Sequence, residues 1–153
     1  MYCDPASARG PQHIIMAVGY FTKWAEAMPT IKFDGKTTTF FVFNQIIARF
    51  RIPKEIVTDH GIHFQNEMMK DLASKVGFKH GHSSPYYPHE NGQVEAVNKS
   101  LKTILQKNSS ESKSNWHLML YPTLWAYRTS IKTSTDFSSF QLVHGVESIL
   151  SIE

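Results

Sequence analysis

A mixed α/β sheet covered by helices is the fold class this sequence predicts, and three observations predict it. Two short apolar segments near the N-terminus flank a turn, strand and helix patterns then alternate from Thr38 to Ser83, and two amphipathic stripes follow. The length of 153 residues suits one domain, taken as 1–153 with its C-terminal edge near 150. Hydrophobic residues at 41% and charged residues at 19% supply a core and argue against disorder.

The elements follow in order. His13 to Val18 is an apolar run ended by Gly19, and Trp24 to Met28 alternates bulky and polar residues up to Pro29, so both read as strands of one hairpin. From Thr38 to Phe50, Phe40, Phe43, Ile46, Ile47 and Phe50 keep helical spacing before Pro53. Glu55 to Thr58 is a short strand. Met69, Leu72 and Val76 set up a second helix closed by Gly77, and Phe78 to Ser83 reads as the next strand. After Asn91-Gly92, the stripe Val94, Val97, Leu101, Ile104 and Leu105 predicts a helix to about Lys107. The polar stretch from Lys107 to Asn115 is a loop, and Trp116, Leu120, Leu124 and Trp125 predict a last helix over 115–129 despite Pro122.

Charge and composition narrow the function classes only a little. A net charge of +3 permits a phosphate-rich partner without demanding one. A single cysteine, Cys3, excludes an internal disulfide or a cysteine-based zinc site and fits a reducing compartment, nucleus or cytoplasm. The apolar run Ile14–Val18 is far shorter than the ~20 residues of a membrane helix, and no targeting segment is evident, so no membrane partner is expected.

Two carboxylates stand out by position. Asp59 follows a predicted strand and precedes a glycine, which places it at the C-terminal edge of the sheet, where α/β proteins bind ligands. Glu95 lies about 100° around its helix from Val94, on the flank of the buried stripe. Asn98, Lys99 and Lys102 share that face, so two ammonium groups flank a carboxylate. From spacing alone the ordinary reading is a solvated face laced with ion pairs; such a face also suits phosphate binding. His80 and His82 alternate on one strand face, with His60, His63 and His89 close in sequence, although scattered histidines do not make the closed ligation that zinc needs.

Four collinear blocks carry a family resemblance: Tyr20 to Ala27 (YFTKWAEA), Ile56 to Gly61 (IVTDHG) with Phe64, Ser84 to Glu95 (SPYYPHENGQVE) with Asn98-Lys99, and Leu124 to Thr129 (LWAYRT). Together they resemble the integrase catalytic core of Ty3/gypsy-type retrotransposons of plant genomes, within the retroviral integrase superfamily. The resemblance implies an RNase H-like mixed sheet flanked by helices. It also implies three acids, the last two separated by 35 residues as Asp59 and Glu95 are, that hold a pair of Mg2+ or Mn2+ ions for phosphoryl transfer. Its partners would be DNA, both transposon cDNA ends and target DNA, with homodimerisation through core helices. Lys99, Lys102 and Asn98 would contact DNA, the lysines as phosphate anchors.

The same resemblance places the first acid on a first, central strand. Counted back from Tyr20 with the gypsy spacing, that acid falls before Met1; with the tighter hairpin of retroviral relatives it falls near Pro5, beside Asp4. Asp4 is therefore the candidate for that first acid, with Asp59 the second and Glu95 the third, and the expectation is a chain truncated at its N-terminus, its first strand missing or degenerate, and inactive alone. Where the family usually has Asp, Asn, Gln, Gly and Pro, this chain has Gly19, His60, His89, Asp136 and Ser139. A co-opted DNA- or protein-binding module without catalysis is the alternative reading.

Overall fold

In the computed structural model, which describes Cys3 and residues 10–83, 88–108 and 115–149, the chain forms four strands and five helices. Strands β1 (His13–Val18) and β2 (Ala25–Thr30) pair antiparallel, with Ile14 opposite Pro29 and Val18 opposite Ala25. Strands β3 (Glu55–Thr58) and β4 (Lys79–His82) pair in parallel, Thr58 opposite His82. Helix α1 (Gly35–Phe41) leads into a π-helical turn (Val42–Ile47), and α2 (Glu67–Val76) joins β3 to β4. Helices α3 (Pro88–Asn108), α4 (Trp116–Thr129) and α5 (Ser139–His144) complete the chain.

Alternation along β1 sends its side chains to two cores. Ile14 joins Ala25, Ala27, Val97, Leu101, Leu120 and Leu124 under α3 and α4. Ile15 joins Phe41, Val42, Met69, Ala73 and Phe78 under α1 and α2. A strand buried on both faces requires helices on both sides, which is the three-layer α/β/α arrangement. The sheet itself is in two halves, β1-β2 and β3-β4, and among the described residues no strand joins them. The resemblance places the first strand at this gap. Across it the halves share apolar contacts, since Ile56 of β3 packs on the core that contains Ile15.

Local signals set most boundaries. Asp34 and Asn66 cap α1 and α2 by accepting the backbone N–H groups of Thr37 and Met69, both at 2.9 Å. Gly77, at φ 89°, closes α2 in the left-handed conformation that glycine adopts without strain. The first helical segment starts three residues before the Thr38 that spacing predicts and ends at Ile47 rather than Phe50; its last turn widens, with Ala48 N–H donating to the Phe43 carbonyl at 2.9 Å. The second strand lies at 25–30 rather than 24–28, because Trp24 belongs to the turn and closes it by accepting from Gly19 N–H at 2.8 Å. The third long helix starts at Pro88, ahead of Asn91, with the ring at a helical start where a missing N–H costs nothing. Helix α5 has no counterpart in the sequence reading; six residues give too short a period to detect.

A buried ion cluster ties these layers together. The Glu26 side chain is only 6% exposed, and its Oε2 accepts from Arg128 Nη2 at 2.8 Å and Arg49 Nη1 at 3.0 Å. Its Oε1 accepts from Trp24 Nε1 at 2.9 Å. Arg128 also donates from Nε and Nη2 to the Ala25 carbonyl at 2.9 and 2.7 Å, and its guanidinium stacks 4.3 Å from the Trp24 ring centre. Burial lowers the Arg128 pKa, and Glu26 opposes that shift. The Arg128→Met variant should lose about 3 kcal/mol of stability in urea unfolding, because it leaves a buried carboxylate with one guanidinium fewer.

Two of the family departures have a structural consequence. Asp136 sits at φ 57°, where a glycine is unstrained. Ser139 is the first residue of α5, and its buried Oγ has no hydrogen-bond partner. Ser138 before it, at φ −75° and ψ 150°, already has the backbone that precedes proline. Ser139→Pro is thus expected to raise stability by about 0.4–1 kcal/mol, read as an increased urea midpoint at unchanged slope.

Candidate active site

Asp59 stands one residue past the C-terminal end of β3. Its Oδ1 accepts from the Gly61 N–H at 3.0 Å, which turns the carboxylate back over its own loop. A Cβ at position 61 would lie 2.8 Å from that oxygen, so any larger residue there would push the Asp59 carboxylate aside. The pairing of β3 with β4 continues to Ser83, whose N–H donates to the Thr58 carbonyl at 2.9 Å. Helix α3 begins five residues later, at Pro88, so the topology brings the start of α3 and Asp59 to one end of the β3-β4 pair.

Glu95 is exposed in the second turn of α3, with Lys99 and Lys102 exposed on the same face. The spacing allows an ion pair between Glu95 and Lys99, and elsewhere helical pairs do form, Lys75–Asp71 and Lys70–Glu67 at 2.8 Å. Among the described residues, neither Glu95 nor Asp59 has a cationic side chain within ion-pair distance. Asn98 is half-buried and its Oδ1 is enclosed without a hydrogen-bond partner, so only its amide nitrogen remains for an outside ligand. Asp4, the candidate first acid of the sequence reading, and the side chain of His89 lie outside the described residues, as do Tyr86 and Tyr87.

Exposed carboxylates without cationic partners match the hard oxygen ligands that Mg2+ or Mn2+ prefer. Two such groups do not complete a shell. Among the described residues no group of three His, Cys, Asp or Glu side chains converges to hold a metal ion. The histidines do gather beside Asp59: the His60 and His82 rings stack at 5.8 Å, and His80 and His82 meet edge-on at 4.8 Å. His63 points elsewhere, onto Phe33 at 4.6 Å.

The sequence reading missed what fixes the start of α3. Gln93, two residues before Glu95, donates from Nε2 to the carbonyls of Gly19 and Tyr20 at 3.2 Å and accepts from Lys23 Nζ at 2.9 Å. Lys23 also donates to the Tyr20 carbonyl at 2.7 Å. The β1-β2 turn is therefore latched to the helix that carries Glu95. Both residues lie within the family-like blocks, but nothing in their spacing says that they meet.

A family model described as "Integrase core domain" matches residues 2–88, more than half of the chain. The chain belongs to the integrase core domain family. It is 31% identical over 145 residues to the transposon Tf2-3 polyprotein of Schizosaccharomyces pombe, a match that covers 93% of this chain and extends past Glu95. The chain spans only 11% of that relative's length, and the Tf2-4 polyprotein matches to the same extent. In fold, this integrase core superposes on a chain of the simian T-cell lymphotropic virus intasome in complex with PP2A regulatory subunit B56 gamma. The TM-score is 0.77 at 22% identity, covering 92% of this chain and 51% of that one. It also matches the HTLV-2 integrase catalytic core domain in complex with magnesium (trimeric form), with a TM-score of 0.72 at 20% identity, covering 86% and 84%. The fold is thus the RNase H-like mixed α/β fold of retroviral integrase cores.

Beside Asp59, the titration of His80 bears on stability near neutral pH. Burial, and then the neighbouring charge of His82, hold the His80 imidazole below its ordinary pKa, and its Nε2 lies 3.0 Å from Thr58 Oγ1. The unfolded chain therefore takes up this proton first as pH falls below about 6.5, and stability drops from there down to the depressed native value. Urea unfolding at a series of pH values should show that drop, and His80→Gln should remove its share.

Proposed function

We propose that this chain is the catalytic-core part of a retrotransposon integrase that works on DNA ends by metal-assisted phosphoryl transfer: trimming of cDNA 3′ ends and their joining to target DNA. The observation that carries the reading is the pair of exposed, unneutralised carboxylates, Asp59 at the end of β3 and Glu95 on α3, in a chain of the integrase core family. Asp59 and Glu95 would hold divalent ions with a further acid, for which Asp4 is the candidate in this chain. Bound there, such ions supply Lewis-acid activation of the attacking and leaving oxygens of an in-line displacement.

The chain's own residues supply the rest. Lys99 and Lys102 hold the DNA backbone by phosphate contacts that carry no sequence information, with Asn98 contributing its amide nitrogen. The Lys23–Gln93 latch ties the second turn of α3, which carries Glu95, to the β1-β2 turn. Self-association belongs to the same reading: Leu118, Tyr121 and Trp125 form an exposed apolar stripe on α4, and Phe40 and Phe43 are exposed on the first helical segment.

Calorimetric titration with Mn2+, followed by binding of a labelled duplex, tests this. Asp59→Asn and Glu95→Gln should each abolish metal binding with the fold intact, and Lys99→Ala/Lys102→Ala should lower the salt slope of duplex binding by about 0.9 for each phosphate no longer neutralised. Salt-sensitive DNA binding with no response to metal or to either carboxylate variant would replace the enzyme with a binding module.

A further inference from the structure

Helix α3 has a second functional-looking face. Gln93, Ala96, Val97, Ser100 and Ile104 line an open groove of about 560 Å3 that runs to the C-terminal end of α4 and the segment after it. At helical spacing this face lies roughly 160° around the axis from Glu95. Two ammonium groups border the groove, Lys23 and Lys132, and none of its lining residues carries a carboxylate.

Both lysines are held in place without being neutralised. Lys23 donates to the Tyr20 carbonyl and to Gln93 Oε1, at 2.7 and 2.9 Å. Lys132 donates to the Tyr127 carbonyl and, at 2.7 Å, to Ser130 Oγ, with its ammonium 3.4 Å from the centre of the Tyr127 ring. Each ammonium has three donors, of which two are used by these bonds, and both keep their charge facing the groove. Neither has a carboxylate within ion-pair distance among the described residues. Burial lowers the Lys132 pKa to about 8, which leaves it mostly charged at neutral pH. Capping the last carbonyls of α4 explains one bond of Lys132; it does not explain a second anchored cation on the same groove.

The rest of the lining points to the class of ligand. Hydroxyls of Ser100, Ser130, Thr133 and Ser134 accompany the two cations, over an apolar wall of Val97, Ile104 and Ile131. A duplex presents phosphate and sugar at its surface and keeps its base faces stacked inside, so an apolar wall gains nothing from it. A single strand offers both parts, a phosphate for the cations and an unstacked base for the wall.

We propose that this groove is a second nucleic-acid site that binds single-stranded DNA, its phosphates at Lys23 and Lys132 and a base against Ile104 and Ile131. The proposal rests on the reading that the chain works on DNA ends, and it places an unpaired stretch of strand on the side of α3 away from the carboxylates.

Fluorescence anisotropy with a labelled single strand of about eight nucleotides, and with a duplex of equal length, tests it. Lys132→Met should weaken single-strand binding about tenfold and reduce its salt slope by about 0.7. Because Lys132 also caps α4, Ser134→Glu supplies an independent arm: it adds a carboxylate at an exposed position on the lip, leaves the packing intact, and should weaken the single strand to a similar degree. Duplex binding should be unchanged in both variants and weakened in Lys99→Ala/Lys102→Ala, which should leave the single strand untouched. Single-strand binding that ignores Ser134→Glu, or an acidic peptide that displaces the strand with equal affinity, overturns the groove assignment while the duplex arm still stands. Duplex binding that ignores Lys99→Ala/Lys102→Ala would overturn the functional reading instead.

Discussion

The burial of Glu26 is the constraint on which the layering of this molecule depends. A carboxylate taken out of water inside a helix-covered sheet is costly by itself, and the structure offsets that cost with one guanidinium from each side: Arg49 beyond the first helical segment and Arg128 on α4. The bonds that neutralise the charge therefore also set where the two helical layers stand relative to β2. Trp24 covers the cluster and donates to it, while its ring packs near Phe50, Phe140 and His144. Elements far apart in sequence are thereby held by one polar point within apolar layers.

From that point the placement of the candidate site follows in steps. The ion cluster positions the hairpin against α4; the hairpin turn, through Lys23, holds Gln93; and Gln93 lies in the second turn of α3, beside Glu95. Asp59 is positioned separately, by the parallel pairing of β3 with β4 and the Gly61 turn. The gap between the two halves of the sheet separates these two chains of support, which meet through the shared apolar core around Ile15 and Phe78 and through Thr38, whose hydroxyl donates to the His63 carbonyl at 2.7 Å.

Much of this was legible in the residues because the apolar periodicity has simple causes. Ile14 and Ile15 alternate to opposite cores, and Val97, Leu101 and Leu105 recur on one helix face, so the elements that bury them declare themselves. Gly77 declares the end of α2 for a reason equally local. The misses have causes as well. Helix α5 is too short to show a period, and the widened turn at 42–47 depends on tertiary contacts. At the site, Asp59 and Glu95 were readable from position and family-like blocks. The Lys23–Gln93 latch was not, because its partners are 70 residues apart and polar surface residues carry no periodic mark of whom they meet. Trp24, Glu26 and Arg128 sit in the family-like blocks too, and their roles turn out to be structural.

Burial explains why Glu26 must carry cationic partners, whereas exposed acids can be paired, as Glu67 and Asp71 are, or left without a cation at little cost. Glu26, inside, is matched by two guanidinium groups, since an unmatched charge there would be untenable. Asp59 and Glu95, outside, are solvated by water, so leaving them unpaired costs the fold little even with Lys99 one helical turn from Glu95. A Glu95–Lys99 pair would gain at most a few tenths of a kcal/mol in stability. It would also occupy the carboxylate oxygens and the phosphate-seeking ammonium at once. Keeping the two charges apart along one exposed helix face therefore preserves the binding capacity of both, and the fold gives up almost no stability to do so.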